Sequence, residues 1–199
     1  MPQPTRKAGR ANTKGNRTES ADAVQMLEQD HRAVERLFDD FASGEANGKE
    51  RVAEQIFREL EVHATLEEEI FYPALRKHAD QGELGELEQG ETDIKDQEEI
   101  VEEEEDDEAD ETTEEVGEDV IDAAYEDHQE VKDLIGTLRG RTPHDPEFES
   151  GMAELRELIT NHVAEEEDVL FAEAKLKLDT ALIGRQLQER KQALAHSRM

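Results

Sequence analysis

The sequence has no cysteine and no tryptophan, and its 199 residues include only two Tyr, six Phe and five Pro. Zero cysteine excludes disulfides, iron–sulfur clusters, zinc–thiolate sites and thiol catalysis. No apolar run approaches the roughly 18 residues that span a bilayer, and no apolar signal segment follows the first residues. A cytoplasmic protein with no membrane partner is therefore expected. Positive charge is also scarce: 23 Lys+Arg stand against 54 Asp+Glu, a net charge of −31. A phosphate backbone repels such a chain, which excludes nucleic-acid binding by bulk charge. A Gly-rich phosphate loop and a G-x-S-x-G elbow are absent too. Whether the protein turns over a substrate is left open at this point.

The charge that is present is unevenly placed. Residues 1–19 carry Arg6, Lys7, Arg10, Lys14 and Arg17 against Glu19 and have no apolar period, so they read as a disordered basic tail. Residues 86–119 hold 20 Asp/Glu and the single basic residue Lys95. Like charges at this density resist compaction, and the stretch reads as an acidic flexible insert at 82–117. The end, 181–199, is mildly basic, and Leu182, Ile183 and Leu187 predict a helical extension that fades by His196. The length then suits one folded domain, 20–180, interrupted by the insert.

Within that domain four runs show helical spacing. Val24, Leu27, His31, Val34, Phe38 and Phe41 step by three and four. Val52, Ile56, Leu60, His63, Glu67, Ile70 and Ala74 do the same after a break at Gly44 and Asn47-Gly48. Ile121, Ala124, His128, Val131, Ile135 and Leu138 form the third run, which stops at Gly140. Met152, Leu155, Ile159, His162, Glu166 and Val169 form the fourth, opened by Asp145-Pro146 as N-cap and first helical residue. These runs predict an all-α, up-down-up-down antiparallel four-helix bundle.

The chain also repeats itself. Asp30-His31-x-x-Val34-x-x-Leu37 matches Asp127-His128-x-x-Val131-x-x-Leu134. His63-x-x-x-Glu67-Glu68-Glu69-Ile70-Phe71-Tyr72 matches His162-x-x-x-Glu166-Glu167-Asp168-Val169-Leu170-Phe171. Each half is one helical hairpin, and a hairpin cannot bury its apolar face alone.

Each seam contains a His, and two contain a Glu one turn later on the same face. The bundle interior thus receives His31, His63, His128, His162, Glu67 and Glu166, with no Lys or Arg on the seam to pair with the carboxylates. An unpaired buried carboxylate is very costly. Two cations resolve this, with a Glu from each half bridging and two His completing each position. His and carboxylate without sulfur suit iron or manganese, and zinc is also compatible. A single His-x-x-x-Glu means little in so acidic a chain. Four His at one seam position of four helices, inside a duplication, mean much more. His78, His144 and His196 have no repeat partner and read as surface residues. Tyr125, one turn before His128, has two readings: a phenol near the metal, or an aromatic closing the core, with the second favoured. A ferritin-like arrangement needs Glu-x-x-His, which only Glu28-x-x-His31 supplies.

On His31, His63 with Glu67, His128, and His162 with Glu166, in the contexts HATLEEEIFYPA and HVAEEEDVLFAEA, the sequence resembles the hemerythrin-like (HHE cation-binding) family. The resemblance covers about 20–180, with the acidic insert as a departure. It implies a four-helix bundle around a non-haem, oxo-bridged di-iron centre. His31 and His63 would serve one iron, His128 and His162 the other, and Glu67 and Glu166 would bridge. Oxygen-carrying members bring five His, a Glu and an Asp. The four His and two Glu found here are closer to the branch of the repair-of-iron-centres proteins, with positions open to O2, NO or peroxide. The function expected is sensing or handling those ligands, or storing and donating iron under stress, by a monomer or weak dimer. The alternative is a metal-stabilised interaction module whose acidic insert binds a basic protein.

Overall fold

The computed structural model describes residues 22–44, 46–78 and 118–197, so the basic tail at 1–19 and the acidic insert at 82–117 lie outside the described residues. The described residues contain no strand. Helix α1 spans Ala23–Ser43 and α2 spans Ala46–Leu66; a π-helical turn, Glu67–Phe71, follows, and helix resumes over 72–78. Helix α3 is Glu118–Arg139 and α4 is Pro146–Glu165, followed by a second π turn, Glu166–Leu170, and by α5, Phe171–Lys177. Helix α6 is Thr180–His196.

Local chemistry sets the helix ends. Asp22 caps α1 by accepting the Gln25 amide at 3.1 Å, and Asp179 caps α6 by accepting that of Leu182 at 2.9 Å. Each satisfies a backbone donor that the first turn leaves free. Asp145 stands at the N-cap of α4 with Pro146 behind it, but its carboxylate accepts the Thr142 amide at 3.0 Å and so ties down the preceding turn.

The runs read from the sequence are buried through α1 and α3 without exception. In the other two long helices the register changes after the glutamates. Phe71, Tyr72 and Leu75 are buried where Ile70 and Ala74 were expected, and Leu170 and Phe171 where Val169 was expected, Val169 being exposed. The cause is the π turn at Glu67 and at Glu166. An i→i+5 turn carries one extra residue, so everything beyond it rotates by one position. Such turns favour functional sites, and both begin at a seam glutamate.

The core is two apolar clusters with a polar layer between them. One gathers Phe38, Phe57, Ile135, Leu138, Met152 and Leu155 at one end; the other gathers Leu27, Leu66, Tyr72, Ile121, Phe171 and Leu187. Between them lie the four seam histidines and two seam glutamates. Helix α6 lays Ile183 and Leu187 against the second cluster and adds ion pairs from Arg190 to Glu69 and from Lys191 to Asp30.

Candidate metal centre

All six residues singled out from the sequence meet in this layer, and all six are buried, Glu67 completely. The Nε2 atoms of His31 and His63 stand 3.0 Å apart, and those of His128 and His162 3.1 Å apart. Glu67 lies between the pairs: Oε1 is 3.0 Å from His63 Nε2 and Oε2 is 3.4 Å from His128 Nε2. Glu166 sits less evenly, with Oε2 3.3 Å from His31 Nε2 and 3.9 Å from His162 Nε2. Ligand atoms of His31, His63, Glu67 and Glu166 fall within 4.8 Å of one another, as do those of Glu67, His128 and His162. His144 and His196 are exposed and His78 is half-buried, and none of them joins the cluster.

The hydrogen bonds fix which way the imidazoles face. A carboxylate only accepts, so His31 Nδ1–H donates to Glu167 at 2.8 Å and His128 Nδ1–H to Glu68 at 3.0 Å. His162 Nδ1–H donates to Asp127 at 3.2 Å. In the neutral ring this leaves each Nε2 with a lone pair directed into the cluster, as metal ligation requires. Arg32 and Lys132 in turn hold Glu167 and Glu68, at 2.6 and 2.5 Å.

The carboxylate oxygens supply the test of fit. Among the described residues, both oxygens of Glu67 and Oε2 of Glu166 are buried without a hydrogen-bond partner, although imidazole nitrogens stand close by. Carboxylate oxygens that crowd against imidazole nitrogens without pairing are arranged around a common point. The residues present therefore fit a cation with mixed imidazole and carboxylate ligands.

The electrostatics agree. Burial opposes charge on His31 and His128, yet Glu166 beside the first and Glu67 and Glu68 beside the second push both up to about 9. Burial also works against ionised Glu67, but His63 and His128 hold it well below the usual carboxylate range. Burial and the negative charge of Glu67 push Glu166 up. Protons thus compensate only part of the charge, and one carboxylate is favoured at the other's expense.

Sequence reasoning missed one residue of the layer. Tyr72 is fully buried, and its hydroxyl donates to Glu166 Oε1 at 3.1 Å and lies 3.4 Å from His128 Nε2. The signal was its repeat position, nine residues after His63, but a regular helix turns that position off the seam. Tyr125 takes its core reading: its hydroxyl donates to the Glu68 carbonyl at 3.1 Å and its ring meets that of Tyr72 edge-on at 5.2 Å.

The model of the hemerythrin HHE cation-binding domain matches residues 22–117 and 99–174. The chain belongs to the hemerythrin HHE cation-binding family. Metal-cation binding is the property that family membership and the His/Glu clusters jointly support. A hemerythrin HHE domain-containing protein from Mycobacterium kansasii has a similar fold in its crystal structure, with a TM-score of 0.57 and 15% identity over 88% of this chain and 90% of that one. A protein of a Nostoc species, named DNA nickase, is 24% identical over 175 residues, which are 86% of this chain and 39% of that protein. The chain thus spans about two fifths of that relative's length. Among its described residues no helix is long and apolar enough to cross a membrane.

Proposed function

We propose that this HHE protein holds a non-haem di-iron centre on His31, His63, Glu67, His128, His162 and Glu166. On this reading it senses or handles O2, NO or peroxide, or stores and donates iron under stress. The observation that carries the reading is the set of partnerless carboxylate oxygens on Glu67 and Glu166 between two facing histidine pairs. His31 and His63 would hold one iron and His128 and His162 the other, with the glutamates between them offsetting the positive charge. Bound iron would supply a redox-active Lewis acid at the middle of the bundle.

The chain's own residues prepare that position. Glu167, Glu68 and Asp127 orient three of the imidazoles through Nδ1. On the side away from the glutamates, Asp30, Val34, Leu60, Val131, Ile159 and Val163 line a cavity of about 20 Å³ against all four histidines. That is room for about one water-sized molecule, and the aliphatic walls together with the Asp30 carboxylate favour an uncharged diatomic over an anion. The up-down-up-down arrangement of the 20–180 bundle is part of the same reading. Partners of Glu28, Arg32 and Asp39 run backwards along the chain as Lys175, Glu167 and Arg156. Partners of Glu61, Glu68 and Arg76 run backwards as Arg139, Lys132 and Asp122.

Elemental analysis of the purified protein, joined to its visible spectrum with and without O2 and NO, tests the proposal. Two irons per chain and ligand-responsive bands are expected. A chain that binds only zinc, or whose iron does not respond to either gas, overturns it.

A further inference from the structure

The duplication pairs Tyr72 with Phe171, each nine residues after the second histidine of its half. Both rings do the same packing work. Phe171 stacks on His31 with centroids 5.5 Å apart and planes 4° from parallel, and Tyr72 stacks on His128 at 5.5 Å and 28°. Phenylalanine fills this position adequately in one half, so packing alone does not call for the hydroxyl in the other.

The hydroxyl oxygen stands where a ligand atom belongs. Bonds of about 2.1 Å at right angles put neighbouring donor atoms about 3.0 Å apart around an octahedral cation. The Nε2–Nε2 distances of 3.0 and 3.1 Å fit that edge. So do the distances from Tyr72 Oη, 3.1 Å to Glu166 Oε1 and 3.4 Å to His128 Nε2. The second cluster is also one carboxylate short: Glu166 groups with His31, His63 and Glu67, but not with His128 and His162.

We infer that Tyr72 is a metal ligand at the His128–His162 position, so that the duplicated centre offers two unlike sites, one with a phenolate and one without. The inference rests on the six-residue reading of the centre. Ligation replaces the phenol O–H bond by an oxygen–metal bond, and the proton leaves with the others that the cation displaces. The two positions then have four protein ligands each but differ in kind, with two carboxylates at His31–His63 and one carboxylate and a phenolate at His128–His162.

Iron is the probe, added to the metal-free full-length protein in air. The readouts are iron per chain, visible absorption and resonance Raman scattering from phenolate ring modes. The native chain should take two irons and show a phenolate-to-iron charge-transfer band. Tyr72→Phe keeps the ring and should abolish that band while weakening iron at one site about tenfold. Phe171→Tyr should roughly double the band. With only two tyrosines in the chain, Tyr125→Phe completes the assignment, and the band should survive it. Two irons without a phenolate band, or a band that survives Tyr72→Phe, overturn the inference and leave the metal centre standing. A chain that takes up no iron overturns both.

Discussion

The half carrying His31 and His63 and the half carrying His128 and His162 supply the same residue types, two His with a Glu four positions after the second, yet they surround them differently. One imidazole in each is held alike, His31 by Glu167 and His128 by Glu68, both carboxylates reaching across from the opposite half. The other imidazole is not. His162 Nδ1 has Asp127 as acceptor, whereas His63 Nδ1 is buried with no hydrogen-bond partner among the described residues. Asp30, the repeat counterpart of Asp127, is instead engaged by Lys191 of α6 at 2.6 Å. Tyr72 and Phe171, at equivalent positions of the repeat, are unequal in the same way. The repeat sets where the seam histidines and glutamates stand, and residues around them decide whether the two positions behave alike.

The largest effect expected is common to both halves. Removing metal leaves six polar groups in a layer between two apolar clusters, and a tightly bound cation stabilises only the folded state. Binding at a thousand times the dissociation constant is worth about 4 kcal/mol, which shifts melting of a chain this size by roughly 10 °C. Chelation should lower the melting temperature by about that much. Melting that is unchanged by chelation ends the metal reading for both halves at once.

The glutamates break the symmetry next. Glu67 touches His63 and His128, so Glu67→Ala should take metal from both positions. Glu166 groups with the His31 pair alone, so Glu166→Ala should cost that position more. Glu68→Ala and Glu167→Ala remove orienting contacts and should keep both metals, at about tenfold weaker affinity or less. Metal content per chain after dialysis separates these outcomes, and equal losses from all four variants contradict the seam assignment.

Most of this layer was legible in the sequence because its residues obey the three-and-four step of a regular helix. His31 and His128 sit mid-helix, where nothing disturbs that period. The reading slipped where the helix ceases to be regular. The π turns at Glu67 and Glu166 bury Phe71 and Leu170 in place of Ile70 and Val169, and they bring Tyr72 into the layer. A π turn leaves no mark in the hydrophobic period before it, so Tyr72 could be aligned with Phe171 and still not be placed. The partners of Nδ1 were hidden for another reason. Glu68 and Glu167 look like two more charges in an acidic run, and only the packing of helices far apart in sequence shows them reaching across.

Protonation sharpens the comparison more gently. In the metal-free protein His31 and His128 rise from 6.5 to about 9, one histidine per half. A raised histidine contributes stability that is fully present below about 6.5 and is lost as pH rises through about 9. The chelated protein should therefore melt several degrees lower at pH 9.5 than at pH 6.5, while the loaded protein changes less. Glu167→Gln should reduce the His31 share of that loss and Glu68→Gln the His128 share. A chelated protein that gains stability over the interval contradicts the sign.

The smallest effect concerns the two aspartates that precede the first histidine of each half. Asp127 accepts from His162 Nδ1, so Asp127→Ala removes the group that turns a ligand's lone pair toward the centre. Metal affinity at that position should fall about tenfold. Asp30→Ala removes a partly exposed pair with Lys191 and no contact to an imidazole nitrogen, so its cost should be under about 1 kcal/mol of stability. Metal affinity should stay within about twofold, because His63 Nδ1 has no acceptor to lose. Chelator competition on the two variants, side by side with melting, reads both quantities. Equal losses of affinity would mean that Asp30 serves His63 as Asp127 serves His162, and that α6 has not made the two halves different at this point.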